Sequence, residues 1–141
     1  VTLTRPVPVP DEQSAPYWEA TARHELRIAR CSQCGSFAVP PDQVCPRCGT
    51  TVPAFSFEPV SGRGRVRSWT VMRQSFLPGF EEDVPFVLVD VELVEQAELR
   101  IIGKLLDGPE AVVRVGDPVT VAFEDLVPGV SIPAFEIAAG S

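Results

Sequence analysis

Cys31-Ser32-Gln33-Cys34-Gly35, followed by Cys45-Pro46-Arg47-Cys48-Gly49, is the stretch that decides how this chain folds. Each half is a CxxC turn with glycine directly after the second thiol, and ten residues separate the halves. Two thiolates three positions apart on a tight turn can share one ion, and the glycine lets the backbone turn its amides toward the sulfurs. Two such knuckles facing each other make a closed tetrahedral sulfur site. It leaves no open position for a substrate, so its role is structural. Zinc suits this spacing best; iron also accepts four sulfurs, and a pair of disulfides is the remaining alternative. Disulfides are rare in the cytoplasm, where a chain with no visible signal peptide is expected to reside. The ion is expected to contribute folding free energy to residues 31–51, which hold few apolar side chains of their own.

Upstream, residues 1–13 are rich in proline and valine without periodicity and read as an extended arm. A short helix is expected from Ser14, which can cap it, with Pro16 in the first turn and Tyr17, Trp18, Ala22 and Leu26 near helical spacing. Tyr17 and Trp18 pack this helix on a neighbour or touch a ligand directly. Residues 26–30 alternate and should form a strand leading into the first knuckle. His24, the only histidine, reads as solvated.

Downstream the pattern is all-β. Residues 55–58 alternate, and residues 64–73 read as a long strand with Val66, Ser68, Thr70 and Met72 on one face. The acidic loop at 77–83 reads as a solvated tip. Residues 86–91 are nearly all apolar, as in a centrally buried strand, with Asp90 and Glu92 on its outward face. Further strands are expected at 99–106, 112–115, 119–123 and 132–137. Gly103 marks a bulge or a close approach. Strands of this number with glycines at the bends suit a small closed barrel, OB-type rather than SH3-like. The expected architecture is mainly β: an arm at 1–13, a helix plus zinc ribbon at 14–53, and an OB-fold barrel with a C-terminal tail at 54–141.

Composition limits the function. Of 141 residues, 45% are hydrophobic and the net charge is -7, so a packed core is expected and nucleic-acid phosphates are repelled unless the basic residues gather. They gather in one place: Arg63, Arg65, Arg67 and Arg73, with Trp69 among them. No stretch is apolar enough to span a bilayer. The sequence has no GxSxG elbow, P-loop, HExxH or GxGxxG, and every thiol is assigned to the metal, so no catalytic residue is identified. Neither nucleic acid nor membrane is an expected partner. A nucleic-acid-binding zinc-ribbon OB protein is the alternative reading, and an iron electron carrier or a stand-alone CoA enzyme stand behind it.

The order of motifs carries more than any one of them. A Tyr17-Trp18-Glu19 helix, the CxxCG–CPxCG ribbon, Ser61-Gly62-Arg63-Gly64-Arg65-Val66-Arg67-Ser68-Trp69, Phe80, Pro85-Phe86-Val87-Leu88-Val89 and Gly116-Asp117-Pro118-Val119 follow one another. Together they resemble the OB-fold acyl-CoA-associated proteins with a rubredoxin-like zinc ribbon, long known as a domain of unknown function. The match runs over about residues 16–125. The resemblance implies an ancillary subunit of a thiolase-fold, lipid-transfer-protein-like enzyme, in a two-plus-two assembly. The partner would hold the catalytic residues and act as a thiolase, acyltransferase or aldolase, including on steroid side chains. It also implies a CoA thioester shared with that partner, and a possible fusion to a hydratase, from which Val1 and the arm would fit a cut module. On an unbroken strand Arg63, Arg65, Arg67, Trp69 and Arg73 would share one face, where the guanidinium groups could meet CoA phosphates or simply be solvated.

Overall fold

The computed structural model describes residues 7–138 apart from 40, 42, 52, 53, 75–78 and 80–82. Leu77, Pro78, Phe80, Glu81 and Glu82 of the acidic loop, part of the arm and the last three residues of the tail lie outside the described residues.

The helix α1 (Ala15–Ala22) begins where expected, with Ser14 as its N-cap, but the Ser14 side chain bonds back to the preceding turn rather than to a helix amide. The Asp11 carboxylate accepts the Ser14 amide at 2.7 Å, and the Ser14 hydroxyl accepts the Asp11 amide at 3.1 Å. This reciprocal box serves two amides that the helix itself leaves unsatisfied. The Ser14 amide also holds the Asp11 carboxyl below its ordinary range. Helical bonds end at Arg23, His24 takes a left-handed φ of 60°, and Leu26 lies beyond the helix, buried.

Three strands form the ribbon sheet: β1 (Arg27–Cys31) lies between β2 (Phe37–Ala38) and β3 (Phe55–Pro59), antiparallel to both. β2 lies inside the first knuckle's return, where two residues give no periodic signal. β3, set on the barrel side of the boundary expected at residue 54, pairs with β1 along its whole length, from Arg27↔Pro59 to Cys31↔Phe55. Alternation could identify it as a strand but not name its neighbour.

The barrel holds β4 (Arg63–Met72), β5 (Phe86–Leu93), β6 (Arg100–Leu105), β7 (Pro118–Val127) and β8 (Val130–Ile137), closed in the order β4-β5-β6-β8-β7. β8 enters parallel to β6 and antiparallel to β7. That insertion of the last strand between the third and fourth is the OB arrangement, and it separates this barrel from an SH3-like one. Along β5, Val87, Val89, Val91 and Leu93 point inward and are buried, while Asp90 and Glu92 point outward, as the alternation requires. Gly103 faces the interior: a Cβ there would come 3.0 Å from the Phe135 ring and 3.1 Å from the Pro133 carbonyl oxygen, so the glycine makes room for Phe135. Gly64 does the same at the wall, where a Cβ would meet the Glu92 carbonyl oxygen at 2.5 Å.

Two expectations are corrected here. Residues 112–115 form no strand; only Val113 enters the core, and Val112 and Val115 stand exposed in a loop. The long strand β4 is also interrupted. Its register against β5 shifts between Val66 and Ser68, so Val66 pairs with Val91 but Trp69 pairs with Val89, both inward positions. A bulge at Arg67 has reversed the parity, and the arginines before it do not share a face with Trp69.

Candidate metal centre and binding surfaces

The two knuckles are built alike. The Gly35 amide donates to the Cys31 carbonyl and the Gly49 amide to the Cys45 carbonyl, both at 2.9 Å, with φ of 77° and 76° at the glycines. Each loop then closes back: the Cys31 amide donates to Ser36 and the Cys45 amide to Thr50. All four sulfurs lie within 4.8 Å of one another, with Cys34 and Cys45 at 3.7 Å. Zinc–sulfur bonds of about 2.3 Å at tetrahedral angles give edges of about 3.8 Å. The four residues fit that ion, and the spacing is far too long for a disulfide between Cys34 and Cys45.

Electrostatics agree with a cation-requiring site. The Ser36 hydroxyl and amide pull the Cys34 thiol down to about 6. The Cys48 amide lowers Cys45. The Thr50 amide acts on Cys48 in the same sense, but burial and three neighbouring sulfurs outweigh it and lift that thiol to about 11. Four thiolates this close need a shared cation to coexist. A bound zinc would supply cross-linking charge and no open coordination position.

Sequence reading missed the supports around the site. Arg30 donates from Nε to the Gly35 carbonyl at 2.6 Å, pairs with Glu58 at 3.0 Å and lies over the Phe37 ring. Gln96, in the turn between β5 and β6, accepts the Phe37 amide at 2.8 Å and donates to its carbonyl at 3.0 Å. Arg47 reaches the Ala97 carbonyl at 3.0 Å. Ribbon and barrel are thus pinned together by polar side chains whose partners lie 50 or more residues away, which no local pattern can encode.

The remaining sequence-selected residues divide into two groups. On β4, Arg65 donates to the Gly116 carbonyl at 3.0 Å, while Arg67 pairs with Glu92 at 3.0 Å and approaches Glu98 at 3.6 Å. Arg63 and Arg73 are exposed, and Trp69 is 46% exposed. The other group is on α1. Tyr17 and Trp18 meet edge to face at 4.8 Å, and burial pushes the Tyr17 hydroxyl up to about 12. Both line two apolar grooves. One, of about 270 Å³, lies toward the ribbon with Ile28, Val39 and Phe57. The other, of about 390 Å³, lies over the outer barrel face with Phe86, Leu88, Ile102 and Leu126. In the second, Lys104 sits 3.4 Å from Glu124 and 4.0 Å from Asp83. His24 is exposed, as its sequence context suggests, and it also stacks on Phe123 and meets Asp125 at 2.8 Å. Ser131 and then His24, both bonded to the Asp125 carboxylate, hold it below its usual range.

This combination of ribbon and barrel matches known proteins. Residues 18–53 match the ChsH2 rubredoxin-like zinc ribbon domain, and residues 57–124 match the ChsH2 C-terminal OB-fold domain. A DUF35 domain-containing scaffold protein of Methanocaldococcus jannaschii is 32% identical over 101 residues, which cover 72% of this chain and 69% of that protein. The chain belongs to the DUF35 family. Another member-like relative, the 3-oxo-4,17-pregnadiene-20-carboxyl-CoA hydratase alpha subunit of Mycobacterium tuberculosis, is 35% identical over 129 residues, 92% of this chain. This DUF35 chain spans 39% of the length of the hydratase alpha subunits it matches. Among solved structures, the Ltp2-ChsH2(DUF35) aldolase contains a chain that superimposes with a TM-score of 0.77 at 28% identity, covering 92% of this chain and 98% of that one.

Proposed function

We propose that this DUF35 chain is the ancillary subunit of a thiolase-fold acyl-CoA enzyme, with the catalytic residues on the partner. The observation that carries the reading is the likeness to the DUF35 chain of an aldolase complex over nearly the whole length of both chains. The chemistry of the chain supports it. Its four thiols converge on one metal site. Among the described residues, the His24–Asp125–Ser131 cluster has the carboxylate in the middle and Ser131 buried, so the imidazole bonds Asp125 and not the Ser131 hydroxyl, unlike a triad in which the imidazole activates the nucleophile. The ribbon zinc is structural in this reading, and the partner performs a retro-aldol cleavage or the related thiolase or acyl-transfer chemistry. Steroid side-chain CoA esters are the substrate class that fits the hydratase relative's name.

For the CoA moiety, Arg63 and Arg73 are exposed and Arg65 bonds the neutral Gly116 carbonyl among the described residues, so these three offer charge to phosphates. Arg67 is neutralised by Glu92 and Glu98 and contributes less. The test is co-purification of the tagged chain from its native host, followed by assay of each component alone and together. A thiolase-fold protein that cleaves its acyl-CoA only in the presence of this chain supports the reading. Turnover by this chain alone, or its recovery with nucleic acid, overturns it.

A further inference from the structure

We infer that the apolar groove running around α1, centred on Trp18, is the face covered by the catalytic subunit, and that the subunit presents there a nonpolar projection ringed by lysine or arginine. This rests on the functional reading above and names its docking surface. Trp18 lines the grooves on both sides of the helix and also a third concavity formed with Pro8, Pro10 and Ser131, so one side chain links three hollows. The surface continues outward at both ends: Ile102 is 65% exposed on the barrel side and Val39 43% exposed on the ribbon side. A large half-buried tryptophan in a concave apolar setting is the typical anchor of a protein interface.

Charge selects the occupant. Inside the groove Lys104 is already balanced by Glu124 and Asp83, and at its edge Glu25 is shared by Arg27 at 3.1 Å and Arg23 at 3.5 Å, which leaves one positive charge there against the three carboxylates of the rim. Asp11, Glu12 and Glu19 stand exposed beside it, on the segment and helix that form its wall. An acidic rim repels CoA phosphates, which disfavours the cofactor as occupant. It also repels a second copy of itself, which disfavours a homodimer through this face. A partner whose nonpolar centre is ringed by basic groups satisfies both the groove and its rim.

The test measures the affinity of the co-purified catalytic subunit for wild type, Ile102→Glu, Trp18→Ala and Trp69→Ala by calorimetry, with zinc content and melting temperature as folding controls. Ile102 is exposed enough for the charge to leave the fold intact. We expect Ile102→Glu to weaken binding at least about tenfold and Trp18→Ala about thirtyfold. Trp69→Ala should change it less than about threefold, and added salt should weaken wild-type binding. Unchanged affinity in Ile102→Glu, with binding lost in Trp69→Ala, would overturn the docking face and leave the functional reading standing. So would a homodimer that Ile102→Glu splits. An acyl-CoA that by itself quenches Trp18 emission in a Trp69→Phe chain would likewise reassign the groove. If no subunit co-purifies, the functional reading falls and this inference falls with it.

Discussion

The ribbon and the barrel are both built of short β-strands, antiparallel but for the β6–β8 pairing in the barrel, yet different forces hold them. Between residues 31 and 54 the buried side chains among the described residues are Cys31, Ala38 and Cys45, and two of those three belong to the four-sulfur cluster. The barrel buries Val66, Val87, Val89, Val91, Leu105 and Phe135 nearly completely. Each such aliphatic or aromatic burial stabilises by about 1.5–3 kcal/mol. One region has its apolar core in the sequence; the other substitutes four sulfurs and an ion for it. The two are nevertheless joined, because Ile28 of the ribbon sheet and Leu26 just before it belong to the same core cluster as the barrel residues.

The sharpest way to break this contrast is to remove the ion. Chelation, or Cys45→Ser, should unfold residues 31–51 while β5 and β6 keep their amide protection against hydrogen exchange. Structural zinc sites in small peptides contribute about 10–16 kcal/mol, far more than the ribbon's few buried side chains can replace. If the barrel amides lost protection together with the ribbon, the two would be one cooperative unit and the contrast would fail.

The reverse experiment truncates the barrel core. Phe135→Ala should cost about 3–5 kcal/mol, because the fully buried ring fills the space that Gly103 leaves. Denaturant unfolding followed by tryptophan emission measures the loss. Zinc affinity should change little; a comparable fall in it would again argue for a single unit.

What the sequence revealed follows the same division. The cysteine pattern is local, so the convergence of the four sulfurs and the turns at both knuckle glycines were legible from spacing alone. The buried β5 strand was legible from its apolar run, the outward side of Asp90 and Glu92 from their spacing, and the close approach at Gly103 from a glycine placed where a side chain belongs. Three features were not. The pairing of β3 with β1 depends on a partner some 30 residues away, which alternation does not name. The bulge at Arg67 reverses a parity argument that assumes an unbroken ladder, so the apparent row of arginines dissolves. Residues 112–115 read as a strand because valines dominate them, yet they have no free barrel edge to join, and only Val113 is buried. Composition and period identify elements; the ladder decides neighbours.

Tyr17 reports on how the helix joins the two regions. It packs against the barrel core and also lines the groove toward the ribbon. The chain contains one tyrosine, so tyrosinate absorbance is specific to it. Its folded-state value is raised to about 12 from an ordinary 10.0, by burial. Ionisation is therefore easier in the unfolded chain. The stabilising contribution is fully present below pH 10 and is lost as pH rises through the folded value, up to about 2–3 kcal/mol in all. We expect denaturant midpoints to fall over that window and Tyr17→Phe to remove the dependence. Tyrosinate appearing near its ordinary value, with stability unmoved, would place the helix away from the core.

The smallest expected effect tests the seam itself. Gln96 makes two hydrogen bonds to the backbone of Phe37, one through each amide atom, and so ties the turn between β5 and β6 to the strand that leaves the first knuckle. Each such bond contributes about 0.5–1.5 kcal/mol net. Gln96→Ala should therefore destabilise by about 1–2 kcal/mol, and the loss should not be spread evenly. Barrel amides should exchange as in wild type, while those of β1 and β2 exchange faster and zinc leaves more readily to a chelator. A uniform loss across both sheets would mean that the ribbon has no opening of its own. In that case the ion and the apolar core would stabilise one cooperative structure, with Gln96 a minor contact inside it.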